Sequence, residues 1–348
     1  MVGRETIRIV ICDDSPTYGE ALSRFLQHDP GIRVTGVFAT AEAMLPALER
    51  LDPHLITMDL EMPGIGGVGA IGRIMRDRPL PILVLSAHAA KGSEKAAEAL
   101  AAGALEAMAK SSLRLLEPAD VWATAIRSRV KRLASVQLKR RPRTGRLGPV
   151  PERRRDLERP FRVVGIGAST GGPPALLSAL GALPVDFRLP VIVVQHISAG
   201  FSEGLITWLD RNLRLPVRFA ESGALAQPGI WFAPDDAHVR LEPSMRFCID
   251  GETRRGAHRP SVDSLLESLA SSVGKEALGV VLTGMGRDGA EGVEAIRGAG
   301  GLVIAQDEET SAVFGMPRAA IQAGADLVLP LDEIGPALRA LRTGEAAR

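Results

Sequence analysis

Cysteine is nearly missing from this chain of 348 residues: Cys12 and Cys248 are the only two, and neither has a CxxC partner or a histidine-rich neighbour. That excludes a disulfide framework and a structural zinc site, and predicts two buried thiols. Aromatic residues amount to 4%, which disfavours surfaces that stack sugars or unpaired bases. No apolar run approaches the roughly 18 residues of a membrane span, and Arg4, Glu5 and Asp13 interrupt any signal-peptide core. A cytoplasmic, folded protein without membrane insertion is expected. Net charge is almost absent too, at +1. With 45% hydrophobic and 24% charged residues, the composition is globular rather than disordered or coiled-coil.

The length predicts about two domains, and the charge is unevenly placed. Residues 1–126 carry 12 basic and 16 acidic groups, residues 127–159 carry 13 and 3, and residues 160–348 carry 17 and 22. The basic middle, rich in Pro and Gly beyond about Gln137, reads as a helix end followed by an extended linker between two folded units. It also offers a surface for an acidic partner or domain.

In the first unit, apolar runs at Ile7–Ile11, Leu55–Met58 and Ile82–Leu85 read as buried parallel strands. A helix with Ala21, Leu22, Phe25 and Leu26 on one face follows Pro16. The βα alternation predicts a doubly wound sheet, whose working groups gather at the carboxyl ends of the strands. Asp13 and Asp14 follow the first strand, Asp59 another, Ser86 the next, and Lys110 a short strand at Glu106–Met108. Three converging carboxylates repel one another and suit Mg²⁺, while a hydroxyl and an ammonium beside them suit phosphoryl oxygens. The expected site is a carboxylate that accepts a phosphoryl group.

The second unit repeats the pattern, with strands expected at Val163–Ile166, Val191–Val194, Leu278–Leu282, Leu302–Ala305 and Asp326–Leu329. Helices are expected over SVDSLLESLASSV and the final DEIGPALRALR, the latter capped by Asp332. The stretch PGIWFAPDDAHVRLEPSMRFCIDG alternates with period two and reads as an antiparallel hairpin insertion. After the first strand, Gly167-Ala168-Ser169-Thr170-Gly171 has the G-x-S-x-G form that raises a serine on a tight strand-to-helix turn. The glycines do not fit G-x-G-x-x-G, so a nucleotide-cradling loop is the weaker reading. The following strand ends in His196, the base a serine nucleophile requires, and Asp288 lies beyond a third strand in TGMGRDG to orient the imidazole. A triad in hydrolase order would instead need His258 with Asp235, Asp236 or Asp250. His28, His54, His88 and His238 read as surface or structural groups.

These segments resemble two known families. IRIVICDDS, LITMDLEMPGIGG, PILVLSAH and GALEAMAKS resemble the receiver domain of two-component response regulators. GIGASTGGPPAL, VQHI, HRPSVD, VLTGMGRDGAEG and AQDEETSAVFGMPRAA resemble the catalytic domain of chemotaxis protein-glutamate methylesterases of the CheB type. The first resemblance implies a flavodoxin-like, five-stranded parallel fold. It also implies phosphorylation of Asp59 by a histidine kinase, Mg²⁺ at Asp13, Asp14 and Asp59, and phosphoryl contacts from Ser86 and Lys110. Two positions depart from that family: Ala107 stands where an aromatic residue is usual, and Ser111 where a proline is.

The second resemblance implies a mostly parallel, doubly wound α/β domain with Ser169, His196 and Asp288 as a triad. Thr170 and the Met285 backbone fall at its oxyanion site, and HRPSVD and VFGMP help build the cleft. The implied protein is a monomeric enzyme with a receiver at 1–126, a linker at 127–159 and a catalytic domain at 160–348. It demethylates glutamate methyl esters on methyl-accepting chemotaxis receptors, deamidates glutamines there, and is activated by phosphorylation. The competing expectation is a response regulator whose output binds nucleic acid or a nucleotide without catalysis.

Overall fold

The structure, a computed structural model, describes residues 6–87, 94–110, 119–136, 138, 156–253 and 258–343. Its residues fall into two compact units, Met1–Arg140 and Arg141–Arg348. His88, Ser111 and the proline-rich stretch 139–155 lie outside the described residues.

The first unit holds strands β1 (Ile7–Cys12), β2 (Ile32–Phe38), β3 (Leu55–Asp59), β4 (Ile82–Ser86) and β5 (Glu106–Ala109). All run parallel in the order β2-β1-β3-β4-β5. β3 and β4 are buried along their whole length, which is why they read as unbroken apolar runs. β2 gives no such run: it is an edge strand, half-buried for most of its length, with Arg33 and Thr35 breaking its apolar character. The helices are α1 (Pro16–Gln27), α2 (Ala41–Met44), α3 (Leu48–Leu51), α4 (Gly66–Asp77), α5 (Glu94–Ala101) and α6 (Ala119–Ala134). Ser15 caps α1, its Oγ accepting from the Tyr18 amide, and Pro16 fills the first turn.

The helix end expected in the basic stretch, up to about Gln137, is that of α6, which runs to Ala134. Ile126, Val130 and Leu133 are all fully buried, so residues 127–134 belong to the first unit rather than to a tether. Part of the basic charge is satisfied there as well. Arg132 and Arg129 lie 2.8 Å and 3.5 Å from the Glu106 carboxylate, and Lys131 pairs with Asp29.

The second unit begins with β6 (Pro160–Phe161), β7 (Val163–Ala168), β8 (Pro190–Gln195), β9 (Val217–Phe219) and β10 (Gly229–Phe232). It continues with β11 (His238–Leu241), β12 (Phe247–Asp250), β13 (Ala277–Val281), β14 (Leu302–Gln306), β15 (Leu327–Leu329) and β16 (Arg342–Thr343). Seven strands form one parallel sheet in the order β15-β14-β13-β7-β8-β10-β9. The expected hairpin insertion is smaller than its sequence pattern. Gly229–Phe232 pairs parallel with β8 and β9 inside the main sheet, and only β11 and β12 make the antiparallel hairpin. A four-residue alternating segment carries no sign of its pairing direction, and its neighbours on the sheet decided it.

Helices α7 (Gly172–Gly181), α8 (Ser202–Asn212), α9 (Val262–Val273), α10 (Ala290–Gly298), α11 (Met316–Gln322) and α12 (Leu331–Arg339) complete the unit. Pro330, not Asp332, occupies the N-cap of α12; Asp332 sits in the first turn, and Thr310 Oγ1 accepts the Leu331 amide instead. α9 lies directly on β7 because Gly165 and Gly167 have no side chains. A Cβ at either would come within 2.5 Å and 2.3 Å of Leu269 and Val262. Cys12 is buried, with burial first and the neighbouring carboxylates next pushing its thiol up to about 12; Cys248 is only half-buried.

Candidate functional site

In the second unit the chain leaves β7 toward β8 on one side of the sheet, and returns at β13 on the other. Strand order reverses at β7, the place where an open α/β sheet presents a crevice at its carboxyl edge. Ser169 follows β7, His196 follows β8, and Met285 and Asp288 follow β13, so all four reach this one edge. Gly171 gives the turn after Ser169 its shape: its φ of +76° is open to glycine at little cost, and it leads directly into α7.

His196 Nε2 lies 2.8 Å from Asp288 Oδ2. The approach is off the line of an ideal hydrogen bond, a misalignment common in catalytic contacts before substrate arrives. His196 Nδ1 is buried with no partner among the described residues, and the Ser169 hydroxyl makes no hydrogen bond to any of them. With Nε2–H toward Asp288, the basic lone pair of the imidazole is on Nδ1. The Ser169 backbone is firmly held: its amide donates to Thr283 O at 3.0 Å, and its carbonyl accepts from the Gly172 amide and Gln195 Nε2, each at 2.8 Å.

Asp288 is anchored by the start of α9. Oδ1 accepts from Ser261 Oγ at 2.9 Å and the Asp263 amide at 3.0 Å, and Oδ2 accepts from the Val262 amide at 2.8 Å. The carboxylate thus occupies a helix N-terminus, where donors and dipole favour an anion. Burial alone would raise its pKa, but His196 and the Val262 and Asp263 amides outweigh that and hold it well below the usual carboxylate range. Asp263 answers in the opposite direction. Its carboxyl accepts from the Gly289 and Gly292 amides at 2.9 Å and 2.8 Å, pinning the loop that carries Asp288. Burial first, then the neighbouring Asp288 charge, push it up to about 7.

That shift has a consequence for stability. A carboxyl whose folded pKa is raised favours folding below its unfolded value near 4, and loses that advantage as pH rises through about 7. Asp263→Asn keeps an oxygen for both glycine amides and cannot ionise. The variant's melting temperature relative to wild type should therefore rise between pH 4 and pH 8; a difference independent of pH would contradict the assignment.

The Met285 amide donates to no acceptor among the described residues, which leaves it available to an oxyanion. Thr170 is buried in the turn after Ser169, its carbonyl accepting from Thr283 Oγ1 at 3.0 Å. The VFGMP segment comes close to Ser169: a Cβ at Gly284 would sit 2.3 Å from Met316 Sδ and 2.8 Å from Ser169 Cβ. His258 stacks on His196, ring centroids 4.2 Å apart. The alternative acids are engaged elsewhere. Asp235 accepts from the Gly200 amide and Ser202 Oγ, Asp236 pairs with Arg259, and Asp250 with Arg240. His238 is buried and structural: Nδ1 accepts the Ser261 amide, Nε2 donates to Thr253 O, and burial lowers its pKa. Gln195, Ser261, Asp263 and Thr283 were not singled out by sequence reasoning. Only the position of Gln195 beside His196, and of Ser261 and Asp263 within HRPSVD, could have drawn notice.

In the first unit, ligand oxygens of Asp13, Asp14 and Asp59 lie within 4.8 Å of one another, with Asp14 exposed and the other two buried. Lys110 Nζ is 2.8 Å from Asp13 Oδ2 and 2.9 Å from Asp59 Oδ2. Burial, ahead of the repulsion from Asp59, raises the Asp13 pKa against the pull of Lys110 and the Ser15 amide. For Lys110, burial opposes the charge, yet the two carboxylates outweigh it and raise its pKa. Ser86 ends β4, buried, and its carbonyl accepts the Lys110 amide at 2.8 Å. Three hard oxygen donors with one exposed side and an excess of negative charge fit Mg²⁺. Ala107 is buried on β5 opposite Val84, where the receiver family usually carries an aromatic ring.

Residues 164–338 match the family described as CheB methylesterase, and residues 9–116 match the response regulator receiver domain. Over 345 residues the chain is 43% identical to protein-glutamate methylesterase/protein-glutamine glutaminase 2 of Anaeromyxobacter dehalogenans, covering 97% of this chain and 98% of that one. A second such relative, numbered 3, from Myxococcus xanthus is 40% identical over 337 residues, covering 93% and 91%. The solved CheB methylesterase catalytic domain of Thermotoga maritima matches with a TM-score of 0.50 and 40% identity, over 51% of this chain and 97% of that one. A non-enzymatic output, whether nucleic-acid- or nucleotide-binding, has no support in these likenesses.

Proposed function

Because this chain belongs to the CheB methylesterase family, with a receiver domain ahead of the catalytic one, we propose that it hydrolyses glutamate methyl esters, and deamidates glutamines, on chemotaxis receptors under control of phosphorylation. What supports the reading is that Ser169 and His196 follow the neighbouring strands β7 and β8 where the sheet order reverses, with Asp288 Oδ2 2.8 Å from His196 Nε2.

His196 Nδ1 takes the hydroxyl proton as Ser169 Oγ bonds to the ester carbonyl carbon. The Met285 amide, with Thr170 beside the nucleophile, receives the oxyanion. Collapse breaks the carbon–oxygen bond to the methoxy group, which leaves as methanol with the proton from His196. Water then repeats the sequence on the acyl-enzyme and releases the glutamate carboxylate. A glutamine side chain enters the same path with ammonia as leaving group. Asp288 holds the imidazole in the Nε2–H tautomer and balances its charge.

In the receiver, assigned to 1–126 together with the rest of α6, an Asp59 oxygen attacks the phosphorus of a kinase phosphohistidine, the phosphorus–nitrogen bond breaks and the kinase imidazole leaves, and Lys110 and Ser86 hold the transferred oxygens. Asp13, Asp14 and Asp59 would hold Mg²⁺, which supplies neutralisation of the phosphoryl charge. The catalytic domain is assigned to 160–348, and the enzyme to the cytoplasm as a monomer, where a phosphohistidine donor would meet it. Wild type with a small phosphodonor should incorporate phosphate and accelerate demethylation, and Asp59→Asn should do neither. Chelating divalent cations should stop incorporation. An unchanged rate in protein shown to be phosphorylated on Asp59 would sink the regulatory half of the proposal.

A further inference from the structure

We propose that Gln195 is a positioning residue that holds the nucleophile turn and the general-base loop together. The proposal rests on the assignment of Ser169 and His196 above. Gln195 is the last residue of β8 and pairs with Ala168, the last of β7. The final ladder bond runs from the His196 amide to Ala168 O at 2.9 Å. Beyond it the two main chains part, one into the Ser169 turn and one toward Ser198. There the Gln195 side chain takes over: Nε2 donates to Ser169 O and to His196 O, each at 2.8 Å. A single amide nitrogen therefore joins the backbones of both residues.

The orientation of this amide follows from its partners. Flipped, Oε1 would face two carbonyl oxygens, and no hydrogen bond could form. As it stands, Oε1 is buried and accepts none from the described residues. It points at Gly172, where a Cβ would come within 1.9 Å of it. Gly172 is the first residue of α7, so the stranded oxygen lies at the positive end of a helix. Stability alone does not account for a buried acceptor without a donor, whereas two donors aimed at the two catalytic backbones give the residue a task.

That task matters because the catalytic side chains do not hold each other. The Ser169 hydroxyl makes no hydrogen bond among the described residues, and His196 Nδ1 has no partner. Their separation is set by the main chain, and the Gln195 amide is the bond that spans it past the end of the ladder. A displacement of about 1 Å at a reacting pair is enough to cost about 10²-fold in rate.

The test uses the full chain with four variants: Gln195→Met, Gln195→Glu, Gly172→Ala and Ser169→Ala. Met keeps length without donors, and Glu keeps shape while turning an acceptor toward two carbonyls. Gly172→Ala displaces the amide without altering it, and so decides the matter even if a Gln195 variant fails to fold. The readouts are kcat and KM for methyl-ester hydrolysis, the labelling rate of Ser169 by a fluorophosphonate, and the melting temperature. Expected is a kcat about 10²-fold lower in Gln195→Met, lower still in Gln195→Glu, with labelling reduced in step and KM nearly unchanged. Gly172→Ala should move the same way. Wild-type kcat and labelling in these variants, beside an inactive Ser169→Ala, would overturn the role of Gln195 and leave the triad standing. Losses that merely follow the melting temperature would also overturn it. An active Ser169→Ala would remove the triad assignment, and this proposal with it.

Discussion

Ser169→Ala should lose at least about 10⁴-fold in hydrolysis of a soluble glutamate-methyl-ester peptide while keeping its fold. The size follows from what the hydroxyl alone provides. Without Oγ there is no acyl-enzyme, and what remains is orientation and the oxyanion donors, which by themselves retain only a small residual catalysis. The preserved fold follows from the contacts. Among the described residues, every hydrogen bond of Ser169 uses its main chain, to Thr283 O, from Gly172 and from Gln195, and alanine keeps all three. Initial rates and a melting curve on the same preparation check both halves. A variant that melts as wild type and still hydrolyses within tenfold would contradict the assignment.

Asp288→Asn should lower kcat by about 10⁴-fold, chiefly by releasing the imidazole tautomer. Unlike the serine variant, it should also melt lower. Both carboxylate oxygens of Asp288 accept from the start of α9, and Oδ2 also faces His196. An asparagine offers one oxygen, and its amide hydrogens would meet the donors on the other side. Leaving such groups unsatisfied costs about 1–3 kcal/mol. The joint signature is a collapsed kcat, a nearly unchanged KM and a lower melting temperature. A normal kcat in a destabilised protein would reduce Asp288 to a helix cap.

Much of the architecture was legible because parallel strands buried on both faces leave unbroken apolar runs, and β3, β4, β7, β8, β13 and β14 all do. Their ends locate the chemistry: Ser169, His196, Asp59 and Ser86 each stand at or next to the last residue of such a strand. Two strands were harder. β2, an edge strand, has Arg33 and Thr35 interrupting its apolar residues, and β10, four residues long between β8 and β9, takes its pairing direction from neighbours that its own sequence does not encode. α6 hid its packed face behind a basic composition, although Ile126, Val130 and Leu133 keep the helical spacing.

The support of the site was the least legible part. That the start of α9 would anchor Asp288, and that Asp263 would pin the loop after it, depends on segments 25 to 29 residues apart folding against each other. Gln195 lies next to His196, but its function is a direction in space, across the sheet to Ser169, which period and composition do not encode.

The central claim is that Ser169 carries ester hydrolysis on receptor glutamates. It is tested most directly by methanol release from methylated receptor membranes, with wild type and Ser169→Ala run side by side. The account predicts methanol from wild type, faster with a phosphodonor, and none above background from Ser169→Ala. Equal release from the two proteins would contradict it.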